Sequence, residues 1–317
     1  MTLSRMLLTL LAAGACLVAS GPLSAHGIAG KRFFPATLAT DDPFVADELS
    51  LPTISSRKAP AEGDAPATRE TTFALDVSKR ITDNFGIGFG AAYKRLHPNE
   101  GATQRGFDNL AASIKYKFYQ SDEHETILSA GIDWDIGNTG AKRVGAESFS
   151  TITPALFFGK GFGDLPTQAA YLRPLAVTGL IGVSIPSRAS RTTVSDEGEV
   201  SVERHPHFLQ WGLAVEYSLP YLQSAVKDMG LSVPFNRMIP VIEFAMSTGL
   251  DRGASGTTGT VNPGIIWAGR YVQLGVEAVV PLNSRSGSRV GWIAQLHFFL
   301  DDLFPKTIGR PVFDSSR

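Results

Sequence analysis

The sequence contains one cysteine, Cys16, and this residue lies in an apolar run near the N-terminus. A chain without further cysteines forms neither a disulfide framework nor a thiolate metal site. No later run reaches the ~18–20 apolar residues of a membrane helix, because Gly179 and Gly182 interrupt the nearest candidate, residues 174–185. The formal net charge of −1 provides no basic surface, so nucleic acid is excluded as a partner. If the protein lies in a membrane, helices do not hold it there.

Residues 1–25 have the three parts of an export signal peptide. Arg5 supplies the positive charge, an apolar run follows, and Leu23-Ser24-Ala25 is a small-residue cleavage site that predicts a mature start at His26. Cys16 raises a lipoprotein alternative. The residues before Cys16 lack the usual leucine, however, and the apolar run continues beyond it, so we expect a conventional signal peptide.

The mature chain is predicted to have three parts. Residues 26–49 show no clear period and predict an irregular N-terminal periplasmic segment, and residues 301–317 predict a C-terminal periplasmic tail. Between them, residues 50–300 consist of segments of about ten residues in which apolar and polar side chains alternate, as in "LQWGLAVEYSL". Turn-forming clusters of Gly, Asp, Asn, Ser and Pro separate these segments. Strict alternation predicts about twelve β-strands.

Alternation also fits a soluble β-sandwich with one wet face, and three features favour a transmembrane barrel instead. The segments approach the ~9–11 residues with which a tilted strand crosses a bilayer. The links alternate between long polar loops and mostly short turns, although 163–170 and 222–236 are longer than this rule allows. Aromatic residues also gather at both strand ends, as interfacial girdles do. The predicted fold is an all-β, transmembrane, up-and-down antiparallel β-barrel of about twelve strands.

The stretch "FGIGFGAAYKR" superficially resembles a nucleotide-binding glycine loop. Its glycines, Gly86, Gly88 and Gly90, alternate with apolar residues, and no helix follows them. A dinucleotide fingerprint needs a different glycine spacing and a following helix. We therefore interpret the stretch as a strand whose glycines face the lumen and leave space there.

Three stretches carry a resemblance to a known family. "HGIAGKRFFPATLATDDPFVADELSLPT", "VGAESFSTITPALFFGKGFGDLP" and "FFLDDLFP" resemble a family of uncharacterised proteobacterial outer-membrane β-barrel proteins that are described as transporters. The resemblance spans almost the whole mature chain, and it carries no assigned catalytic or binding residue. More distantly, the chain is similar to barrel proteins linked to uptake of aromatic hydrocarbons. The resemblance implies a passive outer-membrane channel or transporter-like protein for small solutes.

Polar residues on the lumen face are the candidate site. They are Asp76, Lys94, Lys115, Lys117, Asp133, Asp135, Glu216, Glu243, Glu277, Gln295 and His297. These side chains either line a permeation path that prefers cations, because acids are in excess at mid-height, or pair with one another to fill a narrow lumen. The sequence leaves both alternatives open. It also leaves open whether residues 26–49 plug the lumen.

Two other kinds of function remain alternatives. A mature N-terminal His26 presents an amine and an imidazole that suit copper. Such a site needs a second histidine nearby, but the other histidines of the chain, among them the pair His205 and His207, lie in unrelated segments. A lipid-modifying or structural barrel is a further alternative, although no Gly-x-Ser-x-Gly motif is present. We therefore expect no enzyme, no cofactor and no metal. The expected partners are outer-membrane lipid, periplasmic chaperones, the barrel-assembly machinery and small solutes.

Overall fold

In the computed structural model, which describes residues 27–61, 66–194, 200–254 and 256–313, twelve long antiparallel strands form a closed barrel. The prediction of an all-β transmembrane barrel is confirmed. In chain order the strands are β1 (Ile28–Ala29), β2 (Arg32–Phe33), β3 (Glu48–Ala59), β4 (Thr68–Arg80), β5 (Phe85–Pro98), β6 (Gln104–Phe107), β7 (Leu110–Ser121), β8 (Thr126–Ile136), β9 (Thr151–Gly161), β10 (Leu175–Pro186), β11 (Ser190–Val194), β12 (Val200–Arg204), β13 (Phe208–Tyr217), β14 (Met238–Gly249), β15 (Thr258–Ala268), β16 (Val272–Pro281) and β17 (Gly291–Phe299).

The barrel closes where the last strand meets the first long one. β17 pairs with β3, from Trp292 opposite Ser56 to Phe299 opposite Glu48, so the sheet has no free edge. Closure is what lipid requires, because it offers no hydrogen bonds to an open strand edge. Of the shorter strands, β6 pairs with β5 at the barrel wall, whereas β11 pairs with β12 in a separate hairpin.

The alternating sequence pattern determines which face of each strand meets lipid. Apolar side chains such as Phe89, Ile114 and Leu274 are 44%, 43% and 50% exposed on the outside. Their polar or small neighbours, among them Glu216 and Gln273, are buried inside. One sheet surface therefore satisfies the bilayer while the other forms the lumen.

The two ends of the barrel differ in their connections. We call the end with links 60–67, 99–109, 137–150, 187–207, 250–257 and 282–290 the long-loop end. The opposite, short-turn end has links 81–84, 122–125, 162–174, 218–237 and 269–271. The two longer links at the short-turn end contain the helical turns Thr167–Leu172, Leu219–Tyr221, Leu222–Val226 and Phe235–Arg237.

Within the described ranges, no helix has both the length and the apolar character needed to span a membrane.

Residues 27–47, the lumen segment, fold into the barrel from the short-turn end. The β1–β2 hairpin lies at that end, because Gly30 N–H donates to Asp122 Oδ1 at 3.0 Å. The chain then contacts inward-facing side chains around the barrel and returns to begin β3 at Glu48. The question that the sequence left open is answered here, since the segment occupies the lumen. The predicted signal peptide, Cys16 and His26 lie outside the described residues.

Arg32 fixes the start of the lumen segment. Its guanidinium is fully buried, lies 3.2 Å from a Glu125 carboxylate oxygen and donates to Pro174 O at 2.8 Å and to Arg173 O. It also lies 3.9 Å from the centre of the Tyr221 ring, and the Tyr221 hydroxyl donates to Glu125 at 3.0 Å. Burial and the neighbouring Glu125 raise the pKa of Tyr221. A buried charge with this many partners makes a rigid anchor.

Asp47 fixes the other end of the lumen segment. Its buried carboxylate accepts hydrogen bonds from Lys79 Nζ at 2.6 Å, from Arg80 N–H at 2.8 Å and from Arg80 Nε at 2.8 Å. The C-terminal residues return to the same place, because Phe313 N–H donates to Ile81 O at 2.8 Å. The segment is thus tethered at both ends, and only its middle lies deep in the barrel.

Candidate functional site

The middle of the lumen segment is held by one carboxylate. Glu243, on β14 and fully buried, accepts backbone N–H groups from Leu38 at 2.7 Å, Ala39 at 2.9 Å and Thr40 at 2.7 Å. The Thr40 hydroxyl adds a fourth bond at 2.9 Å. Hydrogen bonds to an ionised acceptor are the stronger kind, and burial strengthens them further. Glu243 therefore positions the tip of the segment against one side of the wall.

The same side of the barrel is sealed by close packing. Gln273 exchanges two hydrogen bonds with the Ala36 backbone, at 3.2 and 2.7 Å. Small residues let the segment approach: a Cβ on Gly212 would lie 2.7 Å from Thr40, and one on Gly275 would lie 2.5 Å from Leu38. A cluster of buried apolar side chains fills the space toward the short-turn end. Its members are Phe33, Leu38, Ala214, Ile239, Val241, Ile266, Ala268 and Phe299.

The opposite side of the lumen remains open. A cavity of about 640 Å³, which we call the conduit, lies between the lumen segment and strands β3, β4, β5, β7 and β8. Along β5 it runs from Gly86 near the short-turn end to Ala92, and it continues to Asp108 at the long-loop end. At the usual rise per residue, Gly86 to Ala92 is about 20 Å of strand. Gly86, Gly88 and Gly90 all line it, so the glycine stretch borders the open part of the barrel.

The conduit is strongly acidic. Of the residues that the structure describes, seven carboxylates line it, and Lys115 is the one lysine or arginine that does so. The seven are Asp41, Asp42, Glu48, Asp76, Asp108, Asp133 and Asp135. Two of them are neutralised by ion pairs, Asp41 with Lys115 at 2.8 Å and Asp108 with Lys94. Among the described residues, Asp76, Asp133 and Asp135 make no ion pair, so the conduit keeps a negative potential.

Asp42 lies on the lumen segment beside Lys115. Burial raises the pKa of Asp42 to about 6, although Lys115 and the Phe44 N–H oppose that shift. Lys115 Nζ also donates to the Asp42 carbonyl at 2.6 Å and lies 4.5 Å from the centre of the Phe157 ring. The tip of the segment is therefore held between Glu243 on one wall and Lys115 on the other.

The predicted lumen residues fall into three groups. Asp76, Lys115, Asp133, Asp135, Gln295 and His297 border the conduit. Glu216, Glu243 and Glu277 are no more than 2% exposed and lie in the sealed part. The Lys94 side chain forms an ion pair with Asp108, and the Lys117 side chain donates a hydrogen bond to Gln120. Some of the predicted lumen residues therefore border open space and others are packed, and no pattern in the sequence separates the two sets.

The structure also brings a serine, a histidine and a carboxylate together at the short-turn end of the conduit. Ser50 Oγ lies 2.9 Å from His297 Nδ1, and Glu48 Oε2 lies 3.8 Å from His297 Nε2. The second distance exceeds a hydrogen bond, so Glu48 does not hold the His297 ring as the acid of a hydrolytic triad does. The His297 ring packs edge-on against Phe299 at 5.0 Å.

A second cavity, also about 640 Å³ and here called the pocket, lies on the other side of the segment tip. Its walls come from the long-loop halves of β9, β10, β13, β14 and β15. Ala39, Thr40, Asp41, Asp133 and Thr153 line both cavities, so the tip and β8–β9 separate them. No sequence pattern predicts the pocket, because its floor is the tip of an irregular segment that has no periodicity.

The remaining histidines of interest lie at the long-loop end. His205 stacks on Phe149 with ring centres 4.0 Å apart, and His207 Nδ1 lies 3.0 Å from an Asp251 carboxylate oxygen. Within the ranges that the structure describes, no group of three or more His, Cys, Asp or Glu residues is arranged to hold a metal ion.

Fold and lumen together define a class: a transmembrane up-and-down β-barrel with an N-terminal segment folded inside its lumen. Among solved structures, the chain is similar to an outer membrane channel from Pseudomonas putida F1, with 11% identity, a TM-score of 0.56 and coverage of 84% of this chain and 99% of that chain.

Two further solved structures are similar at lower scores. The KdgM porin has 11% identity and a TM-score of 0.45 over 78% of this chain and 98% of its own. The NanC porin has 9% identity and a TM-score of 0.45, again over 78% and 98%. No protein-family model matches the sequence, and the search of curated proteins gives no significant match.

Proposed function

We propose that the protein is a passive channel of the outer membrane that passes small solutes, with a preference for cations, along the conduit. The observation that carries this proposal is the conduit itself, an acidic cavity that extends along the barrel wall beside a tethered lumen segment. The short-turn end then faces the periplasm and the long-loop end faces outward, as in outer-membrane barrels generally.

The carboxylates that line the conduit support a preference for cations over anions. Side-chain charges that line a pore set its ion preference. Asp76 on β4 and Asp133 and Asp135 on β8 face the same cavity, and the lysine there is paired with Asp41. A permeating cation meets attraction along the whole conduit, whereas an anion meets repulsion.

The proposal extends to how the protein reaches the membrane. Export through the signal peptide 1–25, passage by periplasmic chaperones and insertion by the barrel-assembly machinery follow from an outer-membrane location. We further propose that the chain belongs to the outer-membrane barrel family that it resembles, and that it acts without catalysis.

The test is the reversal potential of the refolded barrel in a planar bilayer under a KCl gradient. We expect a reversal potential on the side of K⁺. Asp76→Asn combined with Asp135→Asn should reduce cation preference by several-fold, because two unpaired charges leave the conduit. Glu100→Gln, an exposed acid at the long-loop end outside the conduit, is the matched control and should change little. Anion preference, or no conductance from correctly folded barrel, would refute the proposal.

A further inference from the structure

The pocket differs from the conduit because it ends inside the barrel. Its lining residues lie at the long-loop end or at mid-height of their strands. Ala39 and Thr40 form its floor, where Thr40 packs against Gly212. Beneath them lies the apolar cluster that contains Leu38 and Ile239. This packed cluster therefore closes the direct path from the pocket toward the short-turn end.

The pocket wall is rich in hydroxyl and amide groups. They are those of Thr40, Thr153, Ser184, Gln210, Ser247, Thr258, Thr260 and Ser286. Some are already paired, since Thr153 and Ser184 share a hydrogen bond of 2.9 Å. In the parts of the chain that the structure describes, the side chains of Gln210, Ser247 and Thr260 make no hydrogen bond with protein, so they remain available to a ligand.

Two arginines stand at the mouth of the pocket. Arg57 Nη2 lies 3.3 and 3.2 Å from the two carboxylate oxygens of Glu70, which orients the guanidinium and leaves its other N–H donors unused by that pair. Arg285 lies in the long-loop link 282–290 and is exposed. Guanidinium groups recognise carboxylate and phosphate oxygens through paired N–H donors.

We propose that the pocket binds a small hydroxylated anion, a sugar acid or a sugar phosphate, with its anionic group at Arg57 and Arg285 and its hydroxyl groups toward the floor. The orientation follows from charge: among the described residues Asp133 makes no ion pair and lies on the side shared with the conduit, where it repels an anionic group, whereas Glu70 at the mouth is paired with Arg57. Carboxylates accept hydrogen bonds from hydroxyl groups, so Asp41 and Asp133 suit the hydroxylated end. A cavity of about 640 Å³ lies in the usual range for small-ligand sites.

This proposal goes beyond permeation and does not depend on it. The conduit selects cations while they pass, whereas the pocket holds a hydroxylated anion at a dead end. Because Thr40 and Asp41 belong to both cavities, an occupied pocket also contacts the tip that borders the conduit.

The test is isothermal titration of the refolded full-length barrel in detergent with sodium gluconate, glucose 6-phosphate and glucose. We expect gluconate or glucose 6-phosphate to bind at least tenfold more tightly than neutral glucose. The stronger of the two anions identifies whether a carboxylate or a phosphate is preferred. Because this is an equilibrium measurement, it gives its answer even if the barrel does not conduct.

Single substitutions locate the site. Arg57→Gln and Arg285→Gln should each weaken anion binding about tenfold or more, since each removes a charged donor. Arg252→Gln removes the same charge from the neighbouring link 250–257 and should leave binding unchanged. Ser247→Phe, which fills the pocket without changing charge, should abolish binding. Heat-modifiable gel mobility confirms folding of every variant.

Two results would overturn the proposal. One is that folded wild-type barrel binds neither anion, or binds glucose as well as it binds the anions. The other is that binding survives both the combined Arg57→Gln and Arg285→Gln change and the Ser247→Phe change, which would place the ligand elsewhere.

Discussion

The conduit and the pocket are the two halves of one lumen, and they differ in almost every property. Among the described residues, the lining of the conduit extends from Gly86 near the short-turn end to Asp135 near the long-loop end and presents seven carboxylates with one lysine. The pocket ends at mid-height and presents hydroxyl groups, amides and two arginines. Both are bounded by strands with the same inward and outward alternation, so the wall alone does not explain the contrast.

The lumen segment creates the difference. Glu243, Gln273 and the apolar cluster hold it against β13–β17, where it fills the lower half of that side. On the other side the segment contacts the wall through Asp47 at its end and through Lys115 and small residues such as Gly86 along its length. An asymmetric insert therefore turns a roughly symmetric barrel into one open side and one closed side.

Deletion of residues 28–46 should have the largest effect, because it removes the insert that separates the two cavities. We expect single-channel conductance to rise by several-fold and the anion pocket to lose its floor and its binding. The measurement is planar-bilayer conductance of the deleted and wild-type barrels, refolded in parallel and checked by heat-modifiable mobility. Unchanged conductance of a folded deletion variant would show that the segment does not limit permeation.

Glu243→Gln should destabilise the barrel next most strongly. One carboxylate accepts four hydrogen bonds here, and an amide has a single acceptor oxygen. We expect the free energy of unfolding to fall by on the order of 2–4 kcal/mol, with greater protease access to the segment. Urea titration measures the free energy of unfolding, and limited proteolysis measures protease access to the lumen segment.

Glu70→Gln is the control for Glu243→Gln, because Glu70 pairs with the exposed Arg57. A surface pair of this kind contributes about 0–1 kcal/mol. If both variants lose equal stability, the anchoring role of Glu243 is wrong.

Bulky side chains should separate the two cavities by conductance. Gly90→Leu places a side chain in the conduit beside Asp76 and should lower conductance several-fold. Thr260→Leu adds comparable bulk in the pocket, which ends inside the barrel, and should leave conductance unchanged. Equal losses in the two variants would mean that the pocket carries current.

Lys115→Gln should strengthen the cation preference of the conduit by a smaller amount. It removes the one lysine of the conduit and releases the Asp41 carboxylate from its ion pair. We expect a stronger K⁺ preference in reversal-potential measurements, by about twofold, because one like charge is removed from the path of a cation. Lys142→Gln, on link 137–150, serves as the control. A weaker K⁺ preference would contradict the assignment.

The smallest effect is expected at the entry of the lumen segment. The Gln120 side chain and the Gly30 N–H lower the pKa of Asp122. Because the pKa of Asp122 is lower in the folded protein, its carboxylate stabilises the fold at pH values above the usual aspartate pKa. That stability is lost as the pH falls through the lowered pKa. Since Asp122 is exposed, we expect less than about 1 kcal/mol. Comparing the thermal midpoints of wild type and Asp122→Asn at pH 7 and pH 3 should show a smaller pH dependence in the variant.

Much of the fold could be predicted from local patterns. Segments such as "LAASIKYKF" alternate strictly, and the structure places Ile114 and Tyr116 outside and Lys115 inside. Strand identity depends on residues two apart, so a single sequence carries that information. Strand ends were less well defined, since the predicted first strand near residues 50–57 is Glu48–Ala59.

Only part of the candidate site follows from the sequence. The sequence indicated that Asp133 and Glu243 both face the lumen, but it gave no reason to assign them different roles. Their roles differ because Glu243 meets three backbone N–H groups of the lumen segment, whereas Asp133 meets an open cavity. A contact between residues about 200 positions apart, such as Leu38 and Glu243, produces no periodic pattern in the sequence.

The sequence by itself determined the barrel: its strand number, the face that each strand turns to lipid, and the long and short ends. These properties follow from neighbours along the chain and from a bilayer that accepts only closed sheets. Only the tertiary structure decided where residues 27–47 lie, and hence which half of the lumen is a conduit and which is a pocket. An irregular segment has no period to read, and its position depends on partners such as Glu243 and Gln273 that folding alone brings to it.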